Sequence, residues 1–371
     1  MPARSTPPPD TLTTRELNRA TLARQLLLER EQVPLLRAVE RLVALQAQQA
    51  KPPFVGLWSR VEGFRREDLT RLLQRREVVR ATLMRGTLHL ASAKDYVALR
   101  AAFSPMLEAS AHAILRERAE GLDLEPLLVA AREYLGEEPR TFEEVRDYLL
   151  ERNPKADERA MGFLVRMYLP LIQVPTDADW GFPPATDFAL AESWLGEPLD
   201  TQARLDTLVL RYLAAFGPAS ATDVQTWTGL KGLKDVLVSL KPKLRTFRDE
   251  KGRELFDLPK APRPPEDTPA PLRFLPEFDS LVLGHDDRTR LVADAHRSKL
   301  ITKNLRIPAT FLVDGFVSGT WKVERKKATA TLVAEPFAPL TKKTRDALAG
   351  EGEALLHFVE PDARAVEVRF S

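Results

Sequence analysis

Two glutamines, Gln46 and Gln48 in the stretch Leu45-Gln46-Ala47-Gln48, have the clearest potential for chemistry. On a helix such neighbours point about 200° apart, whereas in an extended segment they share one face. Because Pro52 disfavours helix for the residue before it, we expect the helix to loosen here and the two amides to converge. An amide can hold a water through its carbonyl and donate through its NH₂ group, but it is no strong base. The alternative is a pair of exposed polar residues at a frayed helix end.

Other catalytic chemistries lack their sequence signatures. The chain has no GxxxxGK[ST] phosphate loop, no GxGxxG after a strand, no GxSxG and no HExxH. It has no cysteine, which excludes disulfides, thiol nucleophiles and Cys-type zinc sites. Of its five histidines, no two have the i, i+4 spacing of a metal site. We therefore expect no metal and no cofactor.

Charge divides the chain of 371 residues into three parts, and the length itself suggests two or three domains. The net charge is +8 over residues 1–100, −11 over 101–200 and +5 over 201–371. Two basic segments favour contact with a polyanion, and the alternative is an ordinary fluctuation of solvated charges. The chain has neither a run of about 18 apolar residues nor an apolar signal segment, so we expect a cytoplasmic protein.

The first unit follows the element order of a winged helix. A capping box, Thr13-Thr14-Arg15-Glu16, opens a helical pattern that we expect to reach Leu28. A second helix begins at Pro34, and we expect Pro52 and Pro53 to end it. A third helix over 66–76 precedes strands on either side of the turn Arg85-Gly86, which predicts a hairpin.

Two further units repeat helices followed by strands. The second has a capping box at 141–144, a helix near 159–167 and a strand at 171–174. The third has helices over 205–216, 221–227 and 233–240, with a hairpin near 249–252. After a Pro-rich segment, Asp314-Gly315 predicts a strand hairpin, 341–349 a helix, and 366–370 the end of a last hairpin.

The predicted fold class is α+β, with three tandem winged-helix (helix-turn-helix) units before a C-terminal domain that contains antiparallel sheet. The predicted segments are a disordered tail (1–10), a first unit (11–110), an acidic second unit (111–199), a third unit (200–258), a Pro-rich linker (259–271) and a C-terminal domain (272–371).

Several stretches, in the same order along the chain, resemble the AlkZ-like winged-helix DNA glycosylases. The matching stretches are LQAQ at 45–48 followed by Pro-Pro and FVGLWSR at 54–60, RGTLH at 85–89, LPEFDSLVLGHDDR at 275–288, and Asp314-Gly315 through Gly319-Thr320-Trp321. Together they span about residues 12 to 323. The family's Gln-x-Gln branch is matched by Gln46-Ala47-Gln48, whereas another branch carries Gln-x-Asp.

The resemblance implies a monofunctional DNA glycosylase that removes N7-alkylated or bulky, crosslinked purines from double-stranded DNA, with Gln46 and Gln48 as the catalytic pair. An N7-alkylated purine is already cationic and leaves without a strong acid, so the amides would position water and support charge. The alternative is a non-enzymatic winged-helix DNA-binding protein or transcriptional regulator. We expect a nucleoid-associated protein that acts as a monomer, with no membrane and no obligate protein partner.

Ten basic residues near these stretches are candidate contacts to DNA or to the lesion: Arg60, Arg80, Arg85, His89, His285, Arg288, Lys322, Arg325, Lys326 and Lys327. For each arginine the alternative is a surface salt bridge or a solvated charge, for His89 a packed strand histidine, and for His285 a residue that orders a loop. The last four bracket a turn between strands, where a hairpin could enter a groove or simply be solvated.

Overall fold

The computed structural model describes residues 10–119, 122–300 and 307–371. It is a mixed α+β structure, and the predicted tail lies outside the described residues except for Asp10. The elements of the first part are β1 (Thr11–Leu12), α1 (Thr14–Arg24), α2 (Leu35–Leu42), β2 (Ala44–Gln46), α3 (Lys51–Trp58), α4 (Arg66–Gln74), β3 (Val78–Thr82), β4 (Leu88–Ser92) and α5 (Ala93–Leu115).

The remaining elements complete the chain. Up to residue 257 they are α6 (Leu124–Glu137), α7 (Phe142–Arg152), α8 (Glu158–Tyr168), β5 (Leu171–Gln173), β6 (Phe188–Leu190), α9 (Ala191–Leu195), α10 (Leu205–Phe216), α11 (Ala221–Thr228), α12 (Leu233–Leu240), β7 (Arg245–Asp249) and β8 (Glu254–Asp257). They end with β9 (Arg273–Leu275), α13 (Ser280–Leu283), α14 (Arg297–Leu300), β10 (Thr310–Val313), β11 (Phe316–Lys326), β12 (Thr329–Pro336), α15 (Lys342–Val359) and β13 (Ala365–Phe370). None of the helices in these described ranges is long and apolar enough to cross a membrane.

The two prolines after the glutamines have the opposite effect to the one expected. Helix α2 already ends at Leu42, and Val43 takes a positive φ of 66° before strand β2. Pro52 and Pro53 then lie in the first turn of α3, where the missing N–H groups have no helical partner to lose. Gln46 is therefore at the end of a strand and Gln48 in the bend that follows it, so the segment is not helical.

One sheet joins the predicted first and second units. Its strand order is β2-β4-β3-β5-β6, and each neighbouring pair is antiparallel. The hairpin β3–β4 of the first unit thus continues into β5 and β6 of the second unit. The strand that carries Gln46 is at the edge of this sheet, which leaves the residues after it open on one side.

The first two elements of the chain, β1 and α1, pack against the third unit and the C-terminal domain. Strand β1 pairs in parallel with β7 of the third unit. Arg24, at the end of α1, donates to both carboxylate oxygens of Asp257 at 2.7 and 2.8 Å. The Asn18 amide donates to the carbonyls of Arg290 and Gly315, both at 2.8 Å. Helix α1 therefore connects the third unit to the C-terminal domain, and it ends at Arg24 rather than Leu28.

The C-terminal sheet has the order β13-β12-β11-β10-β9. The hairpin predicted at Asp314-Gly315 is confirmed, because both residues have positive φ between β10 and β11. The predicted last hairpin is wrong, since β13 pairs in parallel with β12 after a crossover through α15. This helix is also longer than the predicted 341–349, because it continues to Val359; Gly352 within it is buried against Val368, where a Cβ would approach to 3.1 Å.

Candidate functional site

The backbone around the two glutamines is held between two strands. Gln46 faces His89 in the β2–β4 pairing, and the Ala47 N–H donates to the Leu88 carbonyl at 2.7 Å. From β3, the Arg80 guanidinium donates to the carbonyls of Ala47 at 2.9 Å and Gln48 at 3.2 Å. The motif is therefore fixed in an extended form that the sheet imposes.

Both glutamine side chains receive a hydrogen bond from the protein. Arg85 Nη2 donates to Gln46 Oε1 at 3.0 Å, and the Leu88 N–H donates to Gln48 Oε1 at 3.3 Å. A guanidinium and a backbone N–H can only donate, so the amide atom that faces each of them must be the oxygen. Neither NH₂ group has a hydrogen-bond partner among the residues that the structure describes. These two NH₂ groups are therefore the hydrogen-bond donors of the glutamine pair that can bind a substrate.

Arg85 reaches this position from an unusual backbone. It has a φ of 55° in the short turn Met84–Gly86 between β3 and β4. Its guanidinium also donates to the carbonyl of Trp227, near the end of α11 in the third unit. Gly229, which follows that helix, is so close that a Cβ there would lie 3.3 Å from Arg85 Cα. Arg85 therefore bridges the third unit and the glutamine pair.

The surroundings of the pair are cationic at neutral pH. Burial, with repulsion from Arg288, lowers the pKa of Arg85 to about 10, and burial lowers the pKa of Arg80 to about 10. Both values remain well above 7, so both guanidinium groups stay charged. Burial and the nearby charge of Arg85 lower the pKa of His89 to about 3, which leaves its ring neutral. His89 is a packed strand histidine, with Nδ1 2.9 Å from the Thr87 carbonyl.

Arg288, a candidate from the C-terminal domain, lies near Arg85. Its charge is close enough to lower the pKa of Arg85, and burial followed by repulsion from Arg297 lowers its own pKa. The buried Nε of Arg288 has no hydrogen-bond partner within the described ranges. This arginine therefore remains available for an anionic group.

Arg60 requires a correction, because its guanidinium is fully engaged inside the protein. It forms a bidentate ion pair with Asp279, with N–O distances of 3.0 and 2.8 Å, and both side chains are at most 3 % exposed. It also donates to the carbonyls of Gln25 at 3.0 Å and Gly56 at 2.9 Å. In this structure Arg60 holds the FVGLWSR stretch against the LPEFD stretch and has no group left for a phosphate.

His285 is likewise removed from any surface. Its side chain is fully buried against Tyr212 and Phe216, and Nε2 donates to the Phe216 carbonyl at 2.9 Å. Burial first, and the charge of Arg290 second, lower its pKa to about 3. It orders the core beside the loop that carries Arg288, which was the alternative role considered for it. Arg80 is also buried, and its guanidinium donates to the backbone carbonyls of Ala47 and Gln48 rather than to a group outside the protein.

The four basic residues of the β11–β12 hairpin are exposed. Lys322 pairs with Glu324 and Arg325 with Glu360, each at 2.9 Å. Lys326 and Lys327 form no ion pair with any residue described in the structure, and Lys327 takes the positive φ of the turn. These two lysines are therefore exposed positive charges at the tip of the β11–β12 hairpin, unpaired within residues 10–119, 122–300 and 307–371.

A small cavity and a larger cleft adjoin the segment from Gln46 to Pro52. A cavity of about 10 Å³, the smallest size that holds one water, is lined by Gln46, Pro52 and Asp279, among others. A cleft of about 250 Å³ opens on the outside between Gln49 and Trp321. Gln49 and Trp321 were not among the predicted site residues, because only the packing of β11 against the start of α3 brings them together.

No cluster of His, Asp or Glu in the described part of the chain could hold a metal ion. The possible donors near the pair are amides, guanidinium groups and one buried neutral histidine. The site can therefore orient water and donate hydrogen bonds, and it carries positive charge toward a polyanion.

Comparison with known proteins places these residues in a family. A model of the DNA glycosylase AlkZ-like family matches residues 39–358. An interstrand DNA cross-link repair glycosylase of Streptomyces sahachiroi is 27% identical over 355 residues, which cover 85% of this chain and 88% of that protein. The solved structure of the Streptomyces sahachiroi DNA glycosylase AlkZ has a TM-score of 0.78 at 20% identity, over 97% of this chain and 100% of that chain, and so has the same fold.

Proposed function

The chain belongs to the AlkZ-like DNA glycosylase family, and we propose that it excises alkylated or crosslinked purines from double-stranded DNA by hydrolysis of the N-glycosidic bond. The observation that carries this proposal is the arrangement of Gln46 and Gln48, whose carbonyls are held by the protein while both NH₂ groups remain available. The name of a relative in Streptomyces sahachiroi, interstrand DNA cross-link repair glycosylase, supports crosslinked adducts as the substrate class proposed for this chain.

The proposed mechanism uses an activated substrate and a preorganised polar site. A purine alkylated at N7 carries a positive charge and leaves as a neutral base, so no strong general acid is needed. The remaining sugar is an oxocarbenium-like cation; water adds to its anomeric carbon and releases a proton to the solvent, which completes the hydrolysis. Gln46 and Gln48 position that water and hydrogen-bond to the reacting groups, which stabilises the transition state by preorganisation rather than by proton abstraction.

We expect hydrolysis without strand cleavage. Strand cleavage by a glycosylase requires an amine that forms a Schiff base with the sugar. The nearest lysine along the chain is Lys51, whose ammonium is 3.4 Å from Glu360 and 5.3 Å from the Trp180 ring. The amine is thus engaged by a carboxylate and an aromatic ring, and we expect the reaction to end at an abasic site.

The proposed DNA surface combines Arg288 with the open lysines of the β11–β12 hairpin, Lys326 and Lys327. The helices and hairpins of the three units would act as tandem winged helices that follow the phosphate backbone, with the segment boundaries given above. Helices α10 to α12 and the hairpin β7–β8 support this for the third unit, since they lie where a helix-turn-helix pattern was predicted. Binding to chromosomal DNA would place the protein at the nucleoid as a monomer.

The direct test is a base-release assay on duplex DNA that carries N7-methylguanine, followed by heat or alkali to reveal abasic sites. The wild type should release the base, and Gln46→Ala with Gln48→Ala should abolish release while duplex affinity changes by less than about 1 kcal/mol. A parallel duplex with a bulky interstrand crosslink tests the preferred substrate. An absence of release from both duplexes, with binding intact, would favour the DNA-binding regulator instead.

A further inference from the structure

Arg85 was a candidate for contact with DNA, but its guanidinium has two partners inside the protein. One nitrogen donates to the Trp227 carbonyl and another to Gln46 Oε1 at 3.0 Å. Burial and repulsion from Arg288 lower its pKa to about 10, but the group stays charged at neutral pH. A charged donor held at both ends is better suited to fixing a neighbour than to following a mobile phosphate.

We propose that Arg85 is a positioning residue that sets the orientation of the Gln46 amide and so makes Gln46 a hydrogen-bond donor toward the substrate. This inference rests on the function proposed above. If the amide turned over, its NH₂ group would face the guanidinium, and two donors cannot form a hydrogen bond. The carbonyl is therefore kept on the Arg85 side, and the NH₂ group is kept on the other.

The third unit takes part in this positioning. The Trp227 carbonyl holds one side of the guanidinium, and Gly229 lies so close to the Arg85 backbone that a Cβ there would make a tight contact of 3.3 Å. The left-handed conformation of Arg85, with a φ of 55°, directs the side chain from the turn between β3 and β4 toward Gln46. The orientation of a glutamine in the first unit thus depends on a carbonyl that lies 142 residues after Arg85.

The first arm of the test needs no activity. Urea unfolding is measured for Arg85→Met, Gln46→Ala and the double variant. If the two side chains are coupled, the midpoint shift of the double variant should be clearly smaller than the sum of the two single shifts. Additive shifts would overturn the proposal. Because this arm does not use a substrate, it still decides the contact if the wild type proves to release no base.

The second arm measures single-turnover base release at saturating enzyme. Arg85→Met should slow release 10- to 100-fold, and in a Gln46→Ala background it should add less than twofold, because it acts through Gln46. Duplex affinity and its salt dependence should stay the same. If Arg85→Met folds poorly, Arg85→Lys serves instead: it keeps the charge but cannot reach both partners, and it should retain only part of the rate.

Arg76→Met is the matched control. Arg76 also has a positive φ, of 61°, and also donates to a tryptophan carbonyl, that of Trp194 at 2.7 Å, but it does not contact the glutamine pair. It should leave the release rate unchanged. The opposite pattern for Arg85→Met, with an unchanged rate at saturation and a salt slope reduced by about one, would identify Arg85 as a phosphate contact. Equal losses in both backgrounds would also refute the proposal.

Discussion

Replacing Arg60 by methionine should destabilise the protein strongly without weakening its contact with DNA. The change removes one partner of a bidentate ion pair whose side chains are 2 % and 3 % exposed. The carboxylate of Asp279 would remain buried and uncompensated, and breaking such a pair costs about 3–5 kcal/mol. The carbonyls of Gln25 and Gly56 would lose their donor as well.

Urea unfolding and thermal unfolding measure this effect. With an unfolding entropy of about 2.1 cal/mol/K per residue, 3–5 kcal/mol corresponds to a decrease in Tm of about 4–6 °C. Asp279→Asn added to the Arg60→Met variant removes the unpaired buried carboxylate. It should recover at least about 2 kcal/mol of the free energy of unfolding. Arg65→Met breaks the exposed Arg65–Asp68 pair and should lower stability far less than Arg60→Met, because solvent screens this pair.

Two results would refute this reasoning. The first is a loss of stability for Arg60→Met no greater than that for Arg65→Met. The second is a decrease of about 0.9 in the slope of log affinity against log salt, since that is the effect of losing one phosphate contact. The second result would mean that Arg60 leaves its pair with Asp279 when DNA binds.

The remaining predictions concern the hairpin tip and the buried histidines. Lys326→Ala with Lys327→Ala should reduce the salt slope of duplex binding by up to about 1.8, whereas Lys155→Ala on the acidic second unit should leave it unchanged; equal effects would contradict the proposed surface. Because burial lowers the pKa of His89 and His285 to about 3, from 6.5, their contribution to stability is complete above pH 6.5 and decreases as the pH falls. For His89 the loss of stability should be about 2 kcal/mol between pH 7 and pH 5 in urea unfolding, and His89→Gln should remove most of that loss.

Local signals in the sequence predicted local structure well. The capping boxes at Thr13 and Thr141 begin helices as expected, because their bonds join residues three positions apart. Asp314-Gly315 forms its turn for the same reason: the conformation depends on those two residues alone. The extended segment at Gln46 and Gln48 was predicted as well, but for the wrong reason: pairing with β4 imposes it, and the neighbouring prolines begin α3 instead.

Features set by distant partners were not predictable in this way. The role of Arg60 depends on Asp279, which is 219 residues away, and no pattern in either stretch specifies that they meet. The pairing of β13 with β12 follows from the way α15 packs across the sheet, which residue types alone do not determine. The orientation of the Gln46 amide depends on Arg85, and that contact became visible only in three dimensions.

The pairing of the chain's first elements with its later ones has a consequence for synthesis. Helix α1 is made first, but the Asn18 amide meets the Gly315 carbonyl 297 residues later. At about 5–20 residues per second, the ribosome needs about 15–60 s to make that partner. During this time Leu22 lacks its core partners such as Leu275 and Leu312, and Leu17 lacks Phe247 and Leu255 until those are made. Nascent chains of this protein therefore carry an exposed apolar face on α1, and chaperones that bind such segments should engage it until the C-terminal domain is made.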